Sequence, residues 1–379
     1  MIRVAIIGTG NIANAHMEAY KTLKDHCRVT ALVDIIPGKA RQFMERHGLQ
    51  CDVYERHEDM LGRGDIDLAD ICTPPYTHAS ISVDCLYAGM NVVCEKPMAA
   101  SLEECDRMIK ARDESGKLLS IIAQNRFRGP IRDLKELLKS GLAGPVRHVQ
   151  VESLWWRGTW QKEGGGCTLN HAVHHVDMLC WMMGLPQSVS SVLANTAHDN
   201  AEVEDLSVSI LRYPGALAQL TASVVHHGEE QQVVFQCEKA KIAAPFSCRA
   251  STPLDNGFPV PNPALEEEIT AYARALPPMK YEGHTGQLAD VLAAIRHSAR
   301  PAVTGEDGRR AIELITAIYK SGAGNQEVKL PIDRNDPFYT VSGIMAGIPR
   351  FYEKTVSVME QGGDITLGSS YDKKGEGKA

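Results

Sequence analysis

The chain lacks any apolar run approaching the about 20 residues needed to cross a bilayer. Nor has it an excess of basic charge: 40 Lys and Arg stand against 47 Asp and Glu, a net charge of -7. That balance leaves no electrostatic footprint for nucleic acid or for an anionic membrane surface, and neither is expected as a partner. Cysteine motifs are missing too. The ten cysteines stand singly with no C-x-x-C spacing, so neither a zinc knuckle nor a thioredoxin-type redox motif is indicated. Several lie in apolar runs, as small buried hydrophobes do, and a reducing, cytoplasmic setting is expected. The apolar start Met1-Ile2-Arg3-Val4-Ala5-Ile6-Ile7 is too short for a signal peptide and has no basic leader. It reads as a buried strand. No internal repeat is visible.

At 379 residues, 44% hydrophobic and 23% charged, the chain can fill two globular domains. Strand-like runs at 2–7, 29–34, 68–72, 91–95 and 117–122 alternate with helical patterns at 11–24, 37–47 and 78–89. Such alternation implies parallel βαβ units with both sheet faces covered. Beyond about residue 125 the pattern changes. A helix over 131–140 is followed by strand-like runs at 146–155, 188–196, 206–213, 216–226 and 231–237, which imply a mostly antiparallel sheet. The expected class is α/β: an N-terminal Rossmann doubly wound parallel sheet over residues 1–124, then an α+β domain with a mostly antiparallel open sheet over 125–331. Helices at 286–298 and 305–321 are expected to pack back toward the first domain. The Pro-, Ser- and Asn-rich stretch 245–265 reads as an irregular loop, and 332–379 as a C-terminal extension of little periodicity.

Gly8-Thr9-Gly10-Asn11-Ile12-Ala13 is a G-x-G-x-x-A arrangement set between the first strand and the first helix. Gly8 permits a tight turn, Gly10 lets the backbone approach a pyrophosphate, and the small Ala13 lets the helix sit close to the sheet. The helix N-terminus at Asn11 and Ile12 then faces the phosphates. Asp34, 24 residues beyond Gly10, ends the second strand. Its carboxylate can accept from the adenosine ribose hydroxyls and repel a 2′-phosphate, and Ile35-Ile36 offer no compensating arginine, so NAD is expected rather than NADP. The bland alternative is that Asp34 caps the next helix. Two further segments lie at strand ends, where open parallel sheets bind ligands: Thr73-Pro74 with His78, and Glu95-Lys96-Pro97. A lysine held beside a pyridinium ring and shielded from water can exchange protons near neutral pH.

Together these motifs resemble the glucose–fructose oxidoreductase, inositol dehydrogenase and MocA-type (Gfo/Idh/MocA) family. The likeness continues through Gly89, Gln124-Asn125-Arg126-Phe127, Gly164-Gly165-Gly166 with His174 and Asp177, and Arg300-Pro301 to Arg309. It implies hydride transfer between NAD(P) and a sugar, glycoside or cyclitol. It also implies a homodimer or homotetramer formed through the sheet of the second domain. Lys96 matches the family lysine that touches the cofactor and acts as acid or base, and His174 the family histidine at the substrate oxygen. Gln124 and Asn125 are expected near the cofactor, and Arg126 near substrate or cofactor, with a surface ion pair as the alternative for Arg126. At Asn170 the family commonly has an acidic residue. An amide can orient a hydroxyl or the lysine but cannot shuttle a proton, which leaves Lys96 and His174 as the proton-handling pair.

The segment 164–177 reads as a loop turning into helix, with 170 and 174, and 171 and 175, each one turn apart. His171 and His175 are candidates for substrate contact or for ordinary packing. His171, His174, His175 and Asp177 also have a spacing that could bind zinc, but the family likeness favours a polyol pocket, and no metal is expected. Trp155, Trp156, Arg157 and Trp160 offer aromatic faces and hydrogen bonds suited to sugar rings; Trp155 and Trp156 read equally as strand-end core. Three functions follow: a sugar or polyol dehydrogenase; an enzyme that retains NAD and oxidises a glycoside transiently to allow elimination; and a non-catalytic sensor of ligand on the same fold.

Overall fold

The computed structural model describes residues 1–156 and 166–353. The first region runs β1 (Ile2–Ile7), α1 (Asn11–Thr22), β2 (Cys27–Val33), α2 (Lys39–His47), β3 (Asp52–Tyr54), β4 (Leu68–Ile71), α3 (Pro75–Tyr87), β5 (Asn91–Cys94), α4 (Leu102–Ser115) and β6 (Leu119–Ile121). Its six strands pair in the order β3-β2-β1-β4-β5-β6, and every pair is parallel. The order reverses between β1 and β4, and the crevice at their carboxyl ends is where such sheets take ligands.

Alternation along β1 shows why the sheet is buried on both sides. Val4 and Ile6 enter one core with Ala13, Met17 and Tyr20 of α1, while Ala5 and Ile7 enter the other. The turn after β1 closes tightly: Gly8 has φ +91°, and a Cβ there would stand 2.8 Å from the carbonyl oxygen of Cys72. Only glycine tolerates both conditions.

The second region continues with α5 (Gly129–Ser140), β7 (Val146–Trp156), α6 (Cys167–Asn170), α7 (Val173–Met183), β8 (Ser188–Ala194), β9 (Leu206–Tyr213), β10 (Ala216–Ser223), β11 (Val225–Cys237), β12 (Ala240–Ala244), β13 (Ser247–Pro253), β14 (Pro259–Pro261), α8 (Pro263–Ala275), α9 (Gly283–His297), α10 (Gly305–Gly324), β15 (Val328–Lys329) and α11 (Val341–Gly347). Nine strands form one sheet, β14-β13-β12-β11-β7-β10-β9-β8-β15. All its pairs are antiparallel except β7 with β10. The mixed but mostly antiparallel sheet is the class expected from closely spaced strands.

The region 245–265 is not the irregular loop its composition suggests. It holds β13, β14 and the start of α8, and β13 pairs with β12 from Ala240–Ala250 to Ala243–Ser247. Pro259 and Pro261 lie in the edge strand β14 and Pro253 ends β13 beside it, positions where a sheet tolerates a missing N–H. The tail is also less plain than expected, since α11 lies within it. Helix α9 places Leu288, Val291 and Leu292 in the same core as α1 and β1. Gln287 of α9 donates to the Ile121 carbonyl and accepts from the Ala123 N–H, at 2.7 and 2.8 Å. Helix α10 begins with a capping box between Thr304 and Asp307. Among the described residues, no helix is long and apolar enough to cross a membrane.

Replacing Gly8 by alanine combines a left-handed backbone with a main-chain clash. We expect a loss of about 2–4 kcal/mol in urea unfolding, and a near-neutral result would contradict the tight turn.

Candidate functional site

Gly10 caps α1, and a Cβ added there would meet no protein atom within 4 Å. That open space over the helix N-terminus, beside exposed Asn11 and half-buried Ile12, fits a dinucleotide pyrophosphate. Half-buried Thr73 and exposed Pro74 border it from the end of β4. Asp34 is nearly buried and is engaged within the protein. Its Oδ2 accepts from the Thr9 N–H at 2.9 Å and the Thr9 hydroxyl at 2.7 Å, and its Oδ1 accepts from the Ile36 N–H at 3.0 Å. The carboxylate thus braces the glycine turn whatever else it contacts. Lys39, which sequence reasoning did not single out, brings its ammonium to 3.6 Å from Asp34.

Lys96 follows β5, and its Nζ donates to the main-chain oxygen of Asn170 at 3.4 Å. This contact uses the backbone of residue 170, so it does not depend on whether that residue is acidic. Lys96 and His174 line one cavity of about 20 Å³, together with Val173, Asp177, Gly308 and Ala311. Burial, reinforced by the neighbouring Lys96, pushes His174 well below the ordinary imidazole range, so it is neutral at physiological pH.

The helix carrying these groups is not continuous. It breaks between α6 and α7 at His171 and Ala172, where the His171 and Ala172 N–H groups both donate to the Cys167 carbonyl at 3.1 and 2.9 Å. The two segments are thus separate short helices joined by a tight turn. Glu204 anchors the break from behind: buried, it accepts from the Thr168 N–H at 3.1 Å and the Tyr319 hydroxyl at 3.0 Å. A Cβ on Gly166 would run into it.

Several expected contact residues instead point inward. Arg126 is buried, donating to both oxygens of Asp177 at 2.6 and 2.7 Å and to Asp307 at 3.3 Å. It joins the turn at 124–127 to α7 and α10 in a buried ion-pair cluster, in place of the surface ion pair. The same pairing takes Asp177 out of the candidate zinc cluster. Asn125 is buried, with its Oδ1 accepting from Arg128 at 3.2 Å; Gln124 beside it is half-buried with an enclosed Oε1. His78 is fully buried. Its Nδ1 stands 2.8 Å from the Pro97 carbonyl and its Nε2 2.9 Å from that of Thr73, so both ring nitrogens are taken up in stapling the two strand-end loops. His171 is buried, and burial drives His175 down to about 3, which suits packing and not base chemistry. Arg157 and Trp160 lie outside the described residues, as do Gly164 and Gly165 and the tail beyond 353; the side chains of Trp155 and Trp156 likewise lie outside them.

Glu95 is the largest departure. Expected at the cofactor, its carboxylate faces the protein interior. His16 of α1 bridges it to Asp70 of β4: Nε2 lies 2.9 Å from Glu95 Oε1, and Nδ1 lies 2.8 and 3.0 Å from the Asp70 oxygens. Tyr20 donates to Asp70 at 2.8 Å, and His284 of α9 lies 3.7 Å from Glu95. Burial alone would push His16 down, but the Asp70 carboxylate carries it well above the ordinary range. For Glu95, burial alone would raise the carboxyl, but His16 and His284 hold it well below. His16, Glu95 and His284 are close enough to suggest a metal site. The imidazolium, donating from both nitrogens to carboxylates, already supplies the cation there.

With this geometry in view, the comparisons fix the class. Residues 2–122 match the Gfo/Idh/MocA oxidoreductase family with its NAD-binding Rossmann fold, and residues 131–243 match the family's C-terminal domain. The chain belongs to this family and is an NAD-binding oxidoreductase. Myo-inositol 2-dehydrogenase of Thermotoga maritima is 25% identical, over 87% of this chain and 98% of the relative. A 2,7-anhydro-N-acetylneuraminate hydratase of Mediterraneibacter gnavus is 26% identical, over 86% and 96%. The WlbA dehydrogenase of Chromobacterium violaceum, solved with NADH and UDP-GlcNAcA, superimposes with a TM-score of 0.76 at 29% identity, covering 88% of this chain and 96% of that one.

Two measurements check the site's interior. Removing one partner of the Arg126 pair strands buried carboxylates, so Arg126→Met is expected to lower unfolding free energy by about 3–5 kcal/mol; a change under about 1 would contradict the pairing. His175 has a depressed folded pKa, so the unfolded chain binds its proton first as pH falls. Stability is expected to drop as pH goes from about 6.5 toward 3, and less steeply in His175→Gln, as read by denaturant unfolding across that window. Equal slopes in the two proteins would refute it.

Proposed function

We propose that the protein transfers a hydride between a hydroxyl-bearing carbon of a sugar, glycoside or cyclitol and the nicotinamide of NAD. The observation that carries the reading is Lys96, tied by its Nζ to the Asn170 carbonyl and sharing a cavity with His174 at the ligand-binding end of the sheet. The relatives acting on inositol, on an anhydro-sugar and on a nucleotide-linked sugar acid support a carbohydrate-like substrate. When bound, NAD supplies a hydride acceptor at nicotinamide C4. Residues 1–124 hold it, and residues 125–331 hold the substrate and carry His174.

Within that arrangement the neutral-amine form of Lys96 accepts the hydroxyl proton at Nζ as the C–H bond breaks, and its ammonium form returns that proton in the reverse direction. His174, kept neutral by burial and by the lysine beside it, accepts from or donates to the same oxygen. Asn170 orients without carrying charge. Gly10, Asn11, Ile12, Thr73 and Pro74 form the cofactor cradle, and Asp34 favours NAD by repelling a 2′-phosphate. Exposed Val192, Val208, Ile210 and Leu217 on one face of the nine-stranded sheet support a homodimer or homotetramer through that face. The unpaired cysteines support a cytoplasmic setting.

The hydratase relative favours a second reading, in which retained NAD oxidises a sugar carbon transiently and the acidified neighbouring C–H is lost in an elimination. His175 is too weak a base to assist that step. One experiment separates the two. Incubation with NAD, myo-inositol and a panel of aryl glycosides is followed for both reduced nicotinamide and released phenol. Net NADH supports the dehydrogenase, and phenol without net NADH supports transient oxidation. Lys96→Ala is expected to cut turnover by about 10²–10⁴-fold while keeping NADH affinity within about tenfold; undiminished turnover would overturn the reading.

A further inference from the structure

A line of buried polar groups ends at the peptide of Lys96. The Tyr20 hydroxyl donates to Asp70, both Asp70 oxygens face His16 Nδ1, and His16 Nε2 donates to Glu95 Oε1. The other Glu95 oxygen, Oε2, accepts the N–H of Lys96 at 3.0 Å. Both oxygens of Glu95 are therefore held, and so is the plane of its carboxylate. His16 and Asp70 are fully buried and Glu95 nearly so, with Leu68 and Val93 on the Asp70 face of the sheet.

We propose that the Tyr20–Asp70–His16–Glu95 line is a positioning device for Lys96, fixing the lysine's peptide through Glu95 and setting how tightly its ammonium holds a proton. The inference deepens the reading of Lys96 given above and rests on it. Two carboxylates and one imidazolium leave a net negative charge in the line that ends at the Lys96 peptide. Such an anion in a poorly solvated site favours the protonated lysine. The groups that face this assembly are Tyr20 and His16 from α1, Asp70 from β4 and Cys72 just after it, His284 from α9, with Arg128 farther off, and His78 from α3. His174 and the Asn170 carbonyl face Lys96 from the second region. Apolar side chains would fill the same space without the cost of burying ions.

Without His16, burial makes Glu95 take up a proton, and its charge beside the lysine is lost. Glu95→Gln removes the same charge directly. The test titrates Lys96 by NMR after reductive ¹³C-methylation of the lysines, the resonance being identified by its loss in Lys96→Arg. Glu95→Gln and His16→Gln are each expected to move the Lys96 titration lower by at least about 0.5 pH unit. Tyr20→Phe, which leaves all three charges, shifts it by less. NADH affinity, read by fluorescence, stays within about threefold in every folded variant, which separates this effect from collapse of the cofactor cradle. Lys96 titrating as in the parent protein in Glu95→Gln and Tyr20→Phe, with only the unfolding temperature lowered, would overturn the proposal. The titration needs no substrate. Failure of the lysine's chemical role would appear separately, as turnover surviving Lys96→Ala.

Discussion

One buried imidazole joins the three elements that build the ligand crevice. His16 stands on α1 one turn beyond the glycine turn, and it reaches Asp70 in β4 and Glu95 after β5. Its charge lets two carboxylates coexist under the sheet's carboxyl end, where either alone would be costly. The glycine turn, the Thr73-Pro74 loop and the Glu95-Lys96-Pro97 loop are therefore mutually fixed before any ligand binds. His78 adds a second staple between the latter two loops. Preorganisation of this kind matters because hydride transfer tolerates little misplacement of the reacting groups.

The second region meets this frame through charged contacts of the same kind. Arg126 joins α7 and α10 to the end of the parallel sheet, and Glu204 holds α6 against α10 through Tyr319. These two anchors set where the Asn170 carbonyl and His174 stand relative to Lys96. The break at His171 and Ala172 then presents a main-chain oxygen to the lysine where a continuous helix would have used that oxygen in its own ladder. This explains how the site keeps its lysine contact with an amide side chain at residue 170.

Sequence made the local features legible. Gly8, Gly10 and Ala13 are readable because their roles depend on neighbours a few residues away, and Lys96 because Glu95 and Pro97 frame it at a strand end. Features built from distant partners were hidden. His16 finds its partners 54 and 79 residues away, and in the sequence it is one more polar residue on an amphipathic helix. Arg126 looked exposed because arginine usually is; its acceptors lie 51 and 181 residues off. The inward turn of Glu95 is likewise hidden, since pattern gives the strand but not which way the first residue of the following loop points. Strands β13 and β14 were masked by prolines that only an edge position excuses.

The central claim is that the crevice between the two sheets holds a dinucleotide with its reactive end against Lys96 and His174. A crystal structure of the NADH complex tests this most directly. The account predicts the pyrophosphate over Gly10 and the nicotinamide ring in contact with Lys96, its C4 facing the space bounded by His174. A nicotinamide seated away from both residues, with Lys96 still held by the Asn170 carbonyl alone, would contradict it.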